Sequence, residues 1–328
     1  MFSRLPREGW LILTIIALTI GVHALATRGR ITSPSDFLSP RNMQGIAKDT
    51  AMLGIFALGA GIIIIAGGID LSSGSVICFA GFVAAKTPEW IGYEGTGPFP
   101  SWLIGLMMGN AILLGTFIGI FHGVLIHHLG LPPFVATLGT MAGLRSLASV
   151  VGSATISVSD PGFRTFGKTW YVPVIILLVE AVLLFMVIRW MRVGRHIEAM
   201  GGNEEAARLS GLPIGRLKLF AYVIGAVTAS LAGLVYLGHS GGVSSNTATG
   251  YELSAIAASV VGGCNLKGGA GSLVGILLGC FLLKLVTNIP LYVIETGATD
   301  WEGLIVGGVV ILAVMLGRLG NAGSTKGT

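Results

Sequence analysis

The sequence predicts an all-α integral membrane protein of about ten transmembrane helices, some short or broken, with one short polar helix in a cytoplasmic loop. Three observations carry this expectation. The 328 residues are 53% hydrophobic and only 11% charged, less than half the charge of a soluble domain, which carries about 25%. Mean hydropathy is +0.83. Glycine is abundant, 51 residues, about double the usual share of about 7%. The glycines sit inside Leu/Ile/Val runs without collagen's G-X-Y period, as in membrane bundles whose helices approach closely.

A hydrocarbon core of about 30 Å needs about 20 helical residues to cross. Segments near that length lie at 9–27, 50–67, 72–86, 101–128, 134–152, 172–192, 217–238, 252–263, 271–289 and 301–318. The 252–263 stretch is too short to cross unaided, and 134–152 carries Arg145. Either is therefore a candidate broken or re-entrant element. Residues 1–328 read as a single membrane domain. The first span also fits a signal peptide: Arg4 and Arg7 precede an apolar core from Trp10 to Val22, and Ala24-Leu25-Ala26 resembles a cleavage site. Cleavage would leave the later topology unchanged.

Orientation follows from lysine and arginine, which are retained in the cytoplasm. The loop between the sixth and seventh spans holds Arg189, Arg192, Arg195, Arg208, Arg216 and Lys218. Placing it inside also places Arg4, Arg7, Lys267, Arg318 and Lys326 inside, with both termini cytoplasmic. The outer side then holds Arg28, Arg30, Arg41, Lys48, Lys86, Arg164 and Lys168; four of these lie in the first outer loop, against the rule.

Composition and motifs exclude several function classes. The net charge of +5 is modest and clustered, so nucleic acid is not an expected partner. Cys78, Cys264 and Cys280 match no zinc or redox spacing and read as small buried hydrophobes. No metal or other cofactor is expected. Gly162 to Thr169 reads GFRTFGKT and satisfies the P-loop pattern, but that loop must join a buried strand to a helix to cradle phosphate. Here Trp170, Tyr171, Val172 and Pro173 lead straight into a span, so the match reads as chance. The sequence has no H-E-x-x-H. His239-Ser240-Gly241 is the nearest approach to a hydrolase, without a supporting motif. No catalytic residue is assigned.

Within the spans, small residues recur every four positions: Gly115, Gly119 and Gly123; Gly271, Gly275 and Gly279; Gly303 and Gly307. Such rows pack helices tightly, inside the bundle or against a second subunit. Gly67 to Ser75 reads GGIDLSSGS between two apolar runs. Asp70 and Ser72 there fit two roles, capping the next helix or lining a cavity at a helix break. Asn110 and Asn288 are further pathway or helix-break candidates, and snorkelling accounts for Glu180 and Lys284.

The longest polar stretch is the 194–216 loop. Asn203 can cap a helix whose first turn holds Glu204 and Glu205, both favourable at the positive end of the dipole. Ala206, Ala207, Arg208 and Leu209 continue it until Gly211 and Pro213 stop it. A helix near 203–212 with a cap at each end is built for docking in a partner's groove.

With these segments in hand, the chain resembles the permease subunits of bacterial ABC importers for monosaccharides, within the branched-chain amino-acid/sugar permease superfamily. Four stretches carry the resemblance: GIDLSSGS at 68–75, Leu138-Gly139-Thr140, GRHIEAMGGNEEAARLSGLP at 194–213 and LSAIAASVVGGCNLKGGAGS at 253–272. Glu205-Ala206-Ala207 with Gly211 is similar to the EAA-x-x-x-G coupling motif of importer permeases. The resemblance implies that Asn203, Glu204, Glu205, Ala206, Ala207, Arg208 and Gly211 form a coupling helix on a cytoplasmic ATP-binding subunit, so that ATP is hydrolysed by the partner. It also implies a second permease chain, identical or different, a periplasmic or extracellular sugar-binding protein, and a place in the bacterial cytoplasmic membrane. The sequence departs from the family at Ser73, where valine is commoner, and at Cys264-Asn265. Two other readings stay open: a branched-chain amino-acid permease of the same architecture, and an ion-coupled secondary transporter with its own ion site.

Overall fold

A computed structural model describes residues 7–27, 37–95, 98–152, 155–294, 297–309, 311, 312 and 315. Arg4, Arg28, Arg30, Arg318 and Lys326 lie outside the described residues. Thirteen helices run in order: α1 Arg7–Thr27, α2 Pro40–Ile65, α3 Ser73–Trp90, α4 Ser101–Gly123, α5 Pro133–Gly152, α6 Pro161–Lys168, α7 Tyr171–Phe185, α8 Arg192–Gly202, α9 Glu204–Leu209, α10 Ile214–Ser240, α11 Tyr251–Val261, α12 Leu273–Asn288 and α13 Pro290–Val293. A further helix covers 302–309. Single π-helical stretches, Val124–His128 and Met186–Trp190, extend α4 and α7. Ala24-Leu25-Ala26 lies within α1.

Among the described residues six helices are long and apolar enough to cross a membrane: Pro40–Ile65, Ser101–His128, Pro133–Val151, Tyr171–Trp190, Ile214–Ser240 and Leu273–Tyr292. Two shorter apolar helices, Glu8–Ala24 and Tyr251–Val261, accompany them. The chain is therefore a multi-pass helical membrane protein. The expected 252–263 span is α11, only 11 residues long, and the expected 301–318 span is described only in part.

The second span starts ten residues earlier than the sequence pattern suggests. Ser39 accepts a hydrogen bond from the Asn42 amide at 3.3 Å and Pro40 takes the first helical position, which is where proline fits a helix. The polar residues Arg41 to Asp49 therefore belong to α2 rather than to a loop.

Apolar residues surround the second half of α2 on all sides, and from Leu53 to Ile65 every residue is buried, as expected for a helix at the centre of a bundle. The other central element, α10, packs against α2, α3, α4 and α6. The glycine rows make these contacts. A Cβ on Gly59 would lie 2.9 Å from the Gly225 Cα, and one on Gly115 would lie 2.7 Å from the Val227 Cα. Gly119 and Gly123 press on α10 at Val223 and Leu219, while Gly275 and Gly279 press on Gly262 and Ala258 beside α11. Gly303 and Gly307 meet nothing within 4 Å.

The all-α expectation needs one amendment. Strands β1 Thr155–Ser157 and β2 Gly242–Ser244 pair antiparallel, Ile156 opposite Val243. This short ribbon ties the α5–α6 connection to the exit of α10.

Candidate functional site

The capped polar helix is present. Asn203 is extended and its Oδ1 accepts the Ala206 amide at 3.0 Å. At the other end Gly211 has φ +79°, its amide donates to the Arg208 carbonyl at 2.9 Å, and the Leu212 amide donates to the Ala207 carbonyl at 3.1 Å. That pair of bonds is the Schellman motif, and glycine adopts its left-handed residue without a Cβ penalty.

Side chains orient the helix. Glu204 bridges Arg208 at 2.9 Å and Lys218, at the base of α10, at 2.8 Å. Partial burial raises the Glu204 carboxyl's pKa, but the lysine and arginine contacts outweigh it and hold the group below its ordinary value. The tie to α10 is thus fully present at neutral pH and weakens as pH falls through that lowered value. Ala207 faces inward and is buried, whereas Asn203, Glu205, Ala206, Arg208 and Gly211 are exposed. Leu209 is also outward, 80% exposed. Sequence reasoning used it only to continue the helix; its place on the face opposite Ala207 is the signal that was available.

The platform beneath is a junction of three backbones. The end of α8 presents Gly201 to the end of α2, and the 264–271 segment closes on both. The Gly269 amide donates to the Ile65 carbonyl at 2.9 Å. A Cβ on Gly201 would collide with the Ile65 carbonyl oxygen and lie 2.7 Å from the Gly269 nitrogen. Gly67, Gly268 and Gly269 all have positive φ. Backbones can approach this closely only where side chains are missing.

The helix break at 68–72 lies next to this junction. Asp70 is buried, and its Oδ1 accepts the Ser72 amide at 2.7 Å and the Ser72 hydroxyl at 2.6 Å. Asp70 is therefore not the cap of α3. It closes an Asx turn, and Ser72 occupies the cap position without a side-chain capping bond. Thr137 of α5, beside Leu138-Gly139-Thr140, accepts the Leu71 amide at 3.2 Å. Asn110 and Asn288 lie elsewhere: Asn110 donates to Thr87 at 3.1 Å, and Asn288 exchanges amide bonds with Asn42, each 3.1 Å. Both are interhelical ties of the kind polar residues make in membranes. Lys284 pairs with Glu302 at 2.8 Å rather than snorkelling, and Glu180 is buried at 8% exposure.

Arg145 has a structural employer. Its guanidinium donates to the carbonyls of Ser245, Thr247 and Ala248 at 2.8, 3.0 and 3.2 Å, holding the turn that precedes α11. In Arg145→Met those carbonyls lose a shared charged donor, about 1–3 kcal/mol for each buried acceptor left unpaired. The thermal midpoint of the purified protein is expected to fall by several degrees, and Arg145→Lys should recover only part of it.

The P-loop-like stretch is helix α6, not a loop. Asp160 caps it, accepting the Phe163 amide at 2.6 Å, so the anion position at that helix start is already taken by a carboxylate. Lys168→Ala is expected to leave transport and ATP turnover of an assembled complex at wild-type rates. Among the described residues no group of three or more His, Cys, Asp or Glu is placed to hold a metal. Cys78, Cys264 and Cys280 are free and buried.

Residues 42–314 match the family described as branched-chain amino acid transport system, permease component. The D-allose transport system permease protein AlsC of Escherichia coli K12 is 32% identical over 295 residues, 88% of this chain and 86% of that one. The galactose/methyl galactoside import permease MglC of the same strain is 33% identical over 302 residues, 86% and 88%. The ribose import permease RbsC of Bacillus subtilis 168 is 32% identical over 311 residues, 92% of each. With the match running from the first turn of α2 to beyond α12, this chain belongs to the branched-chain amino acid transport system permease-component family.

Proposed function

We propose that the chain is the permease subunit of an ATP-binding-cassette importer that moves a monosaccharide across the bacterial cytoplasmic membrane by alternating access. The carrying observation is α9: six residues capped at both ends, tied to α10 by Glu204 and Lys218, with Glu205, Ala206, Arg208 and Leu209 on its exposed face. In this reading ATP-binding subunits close on Glu205, Ala206, Arg208 and Leu209. Their movement passes through α8 and the glycine junction to α2 and the break at Asp70, as a rigid-body switch. Residues 194–216 are the cytoplasmic loop, both termini are cytoplasmic, and the chain crosses about ten times. A second permease chain packs on small-residue faces where an added Cβ meets nothing within 4 Å among the described residues, such as Gly139, Gly143, Gly303 and Gly307. A sugar-binding protein delivers the substrate from outside.

The allose, galactose and ribose permeases align over most of the chain, which supports a sugar over a branched-chain amino acid. The test is reconstitution with the ATP-binding and sugar-binding subunits in liposomes. ATP-dependent uptake of D-ribose, D-galactose or D-allose is expected. Uptake of leucine instead, or ion-driven sugar uptake by this chain alone, would overturn the reading.

A further inference from the structure

The chain turns from α7 into α8 at a basic and aromatic elbow that the importer reading does not use. The span Tyr171–Trp190 is the least buried of the six described, with 22% of its apolar window inside the protein. Ile175, Leu178, Val179, Val182 and Met186 lie exposed along it, as on a helix side that faces lipid. Its 20 residues cover about 30 Å at about 1.5 Å per residue, the thickness of a hydrocarbon core. Trp170 and Tyr171 are exposed at one end and Trp190 at the other, matching the aromatic belts at the two membrane surfaces. The Trp190 end therefore lies at headgroup depth.

That end is rigid and positively charged. Trp190 is 68% exposed and meets Phe185 edge-on, centroids 6.3 Å apart. Met191 is extended, and the chain folds back so closely that a Cβ on Gly194 would lie 2.6 Å from the Ile188 Cα. This backbone contact fixes the angle at which α8 leaves α7. Arg189, Arg192 and Arg195 are exposed around it. Between Glu180 and Glu198 the sequence has no acidic residue. Among the described residues none of the three arginines is in an ion pair. Unpaired guanidiniums beside an interfacial tryptophan complement a phosphodiester, which each can engage through two parallel hydrogen bonds. The patch is continuous with the exposed apolar side of α7. The coupling face of α9 begins only after the 11 residues of α8, about 16 Å further on. Charge and position favour a lipid over a protein partner.

We propose that the α7–α8 elbow binds an anionic phospholipid, its phosphate held by Arg189 and Arg192 with Arg195 beside them, and its acyl chains along α7. Because α8 runs from this elbow to Gly201, the bound headgroup anchors the helix on which the glycine junction rests. The inference needs only the membrane architecture, so it stands or falls separately from the importer reading.

The test uses the purified full-length chain in neutral detergent, with dioleoylphosphatidylglycerol as probe and dioleoylphosphatidylcholine as reference. Phosphatidylglycerol should be retained in native mass spectrometry and should raise the thermal midpoint; phosphatidylcholine should do neither. An arginine near an anionic lipid is worth about fivefold in affinity. Arg189→Gln/Arg192→Gln should therefore bind phosphatidylglycerol about 25-fold more weakly, with its lipid-free midpoint unchanged because both side chains are exposed. Arg189→Lys/Arg192→Lys keeps the charge and should recover part of the binding. Raising salt from about 0.1 M to about 1 M shortens the screening length from about 10 Å to about 3 Å and should weaken wild-type binding. Equal binding of the two lipids, or wild-type phosphatidylglycerol affinity in the glutamine variant, overturns the site. The same midpoint rise with inorganic phosphate alone also overturns it, as a free-anion effect. So does a glutamine variant that keeps the lipid but no longer co-purifies with the ATP-binding subunit, which would assign the patch to that partner.

Discussion

Replacing Gly201 by valine is expected to abolish accumulation of folded protein. The added Cβ has no room: it meets the Ile65 carbonyl oxygen, the Gly269 nitrogen at 2.7 Å and the Ile65 carbonyl carbon at 3.0 Å. All three are backbone atoms, so no rotamer change relieves the contact. Overpacking alone costs about 1–3 kcal/mol. Forcing the segments apart also breaks the Gly269–Ile65 hydrogen bond, worth about 1 kcal/mol, and the separation must propagate into the fully buried end of α2. Against a total stability of about 5–15 kcal/mol, that is a large fraction. Gly202→Ala is the internal control, because its Cβ would lie 3.9 Å from its nearest neighbour. Size-exclusion profiles and thermal midpoints in detergent decide the matter. A Gly201→Val protein with wild-type yield and midpoint would show that the junction is looser than drawn.

The second large effect concerns the outer face of α9. Glu205→Lys and Leu209→Asp should reduce uptake to background while leaving expression, insertion and thermal midpoint unchanged. Neither side chain is buried, and Leu209 is 80% exposed, so within the chain neither change removes packing. At an interface, an apolar anchor of this kind typically costs about 2 kcal/mol or more when lost, about thirtyfold in affinity. Gly211→Trp separates two explanations for the glycine. A Cβ at Gly211 meets nothing within 4 Å, so inside the chain the only penalty is the left-handed backbone, about 1–2 kcal/mol. Asparagine tolerates that conformation, so Gly211→Asn should retain most uptake, whereas the indole should obstruct the partner. Uptake and co-purification of the ATP-binding subunit are the readouts. Wild-type uptake in both Glu205→Lys and Leu209→Asp would exclude α9 as the coupling element.

The parts that were legible in the sequence share a physical property: their causes are local. The caps of α9 rest on Asn203 and Ala206, three residues apart, and on Gly211 with Arg208. The apolar spans need only a count of consecutive residues, and the glycine rows need only a period of four. A start for α2 at Ser39 and Pro40 was also written locally, but its polar residues masked it. For Asp70 the sequence left a cap and a helix break open, because an Asx turn and an N-cap use the same residue types within two positions of each other; the structure shows the turn.

What the sequence by itself determined is the class: a glycine-rich helical membrane protein with one short polar helix, capped at both ends, between its apolar spans. Only the tertiary structure decided where the long-range partners fall. It set Arg145 on carbonyls a hundred residues away, Gly201 against Ile65 and Gly269, and Lys284 beside Glu302. It also folded the P-loop-like stretch into α6 and brought Asp49, Tyr236, Tyr251 and Glu302 around one cavity. Helical periodicity states which side of a helix is apolar; it carries no information about which other helix that side meets. Those pairings follow from close packing of the whole bundle, and so the capped helix α9 is readable from residues while the cavity is not.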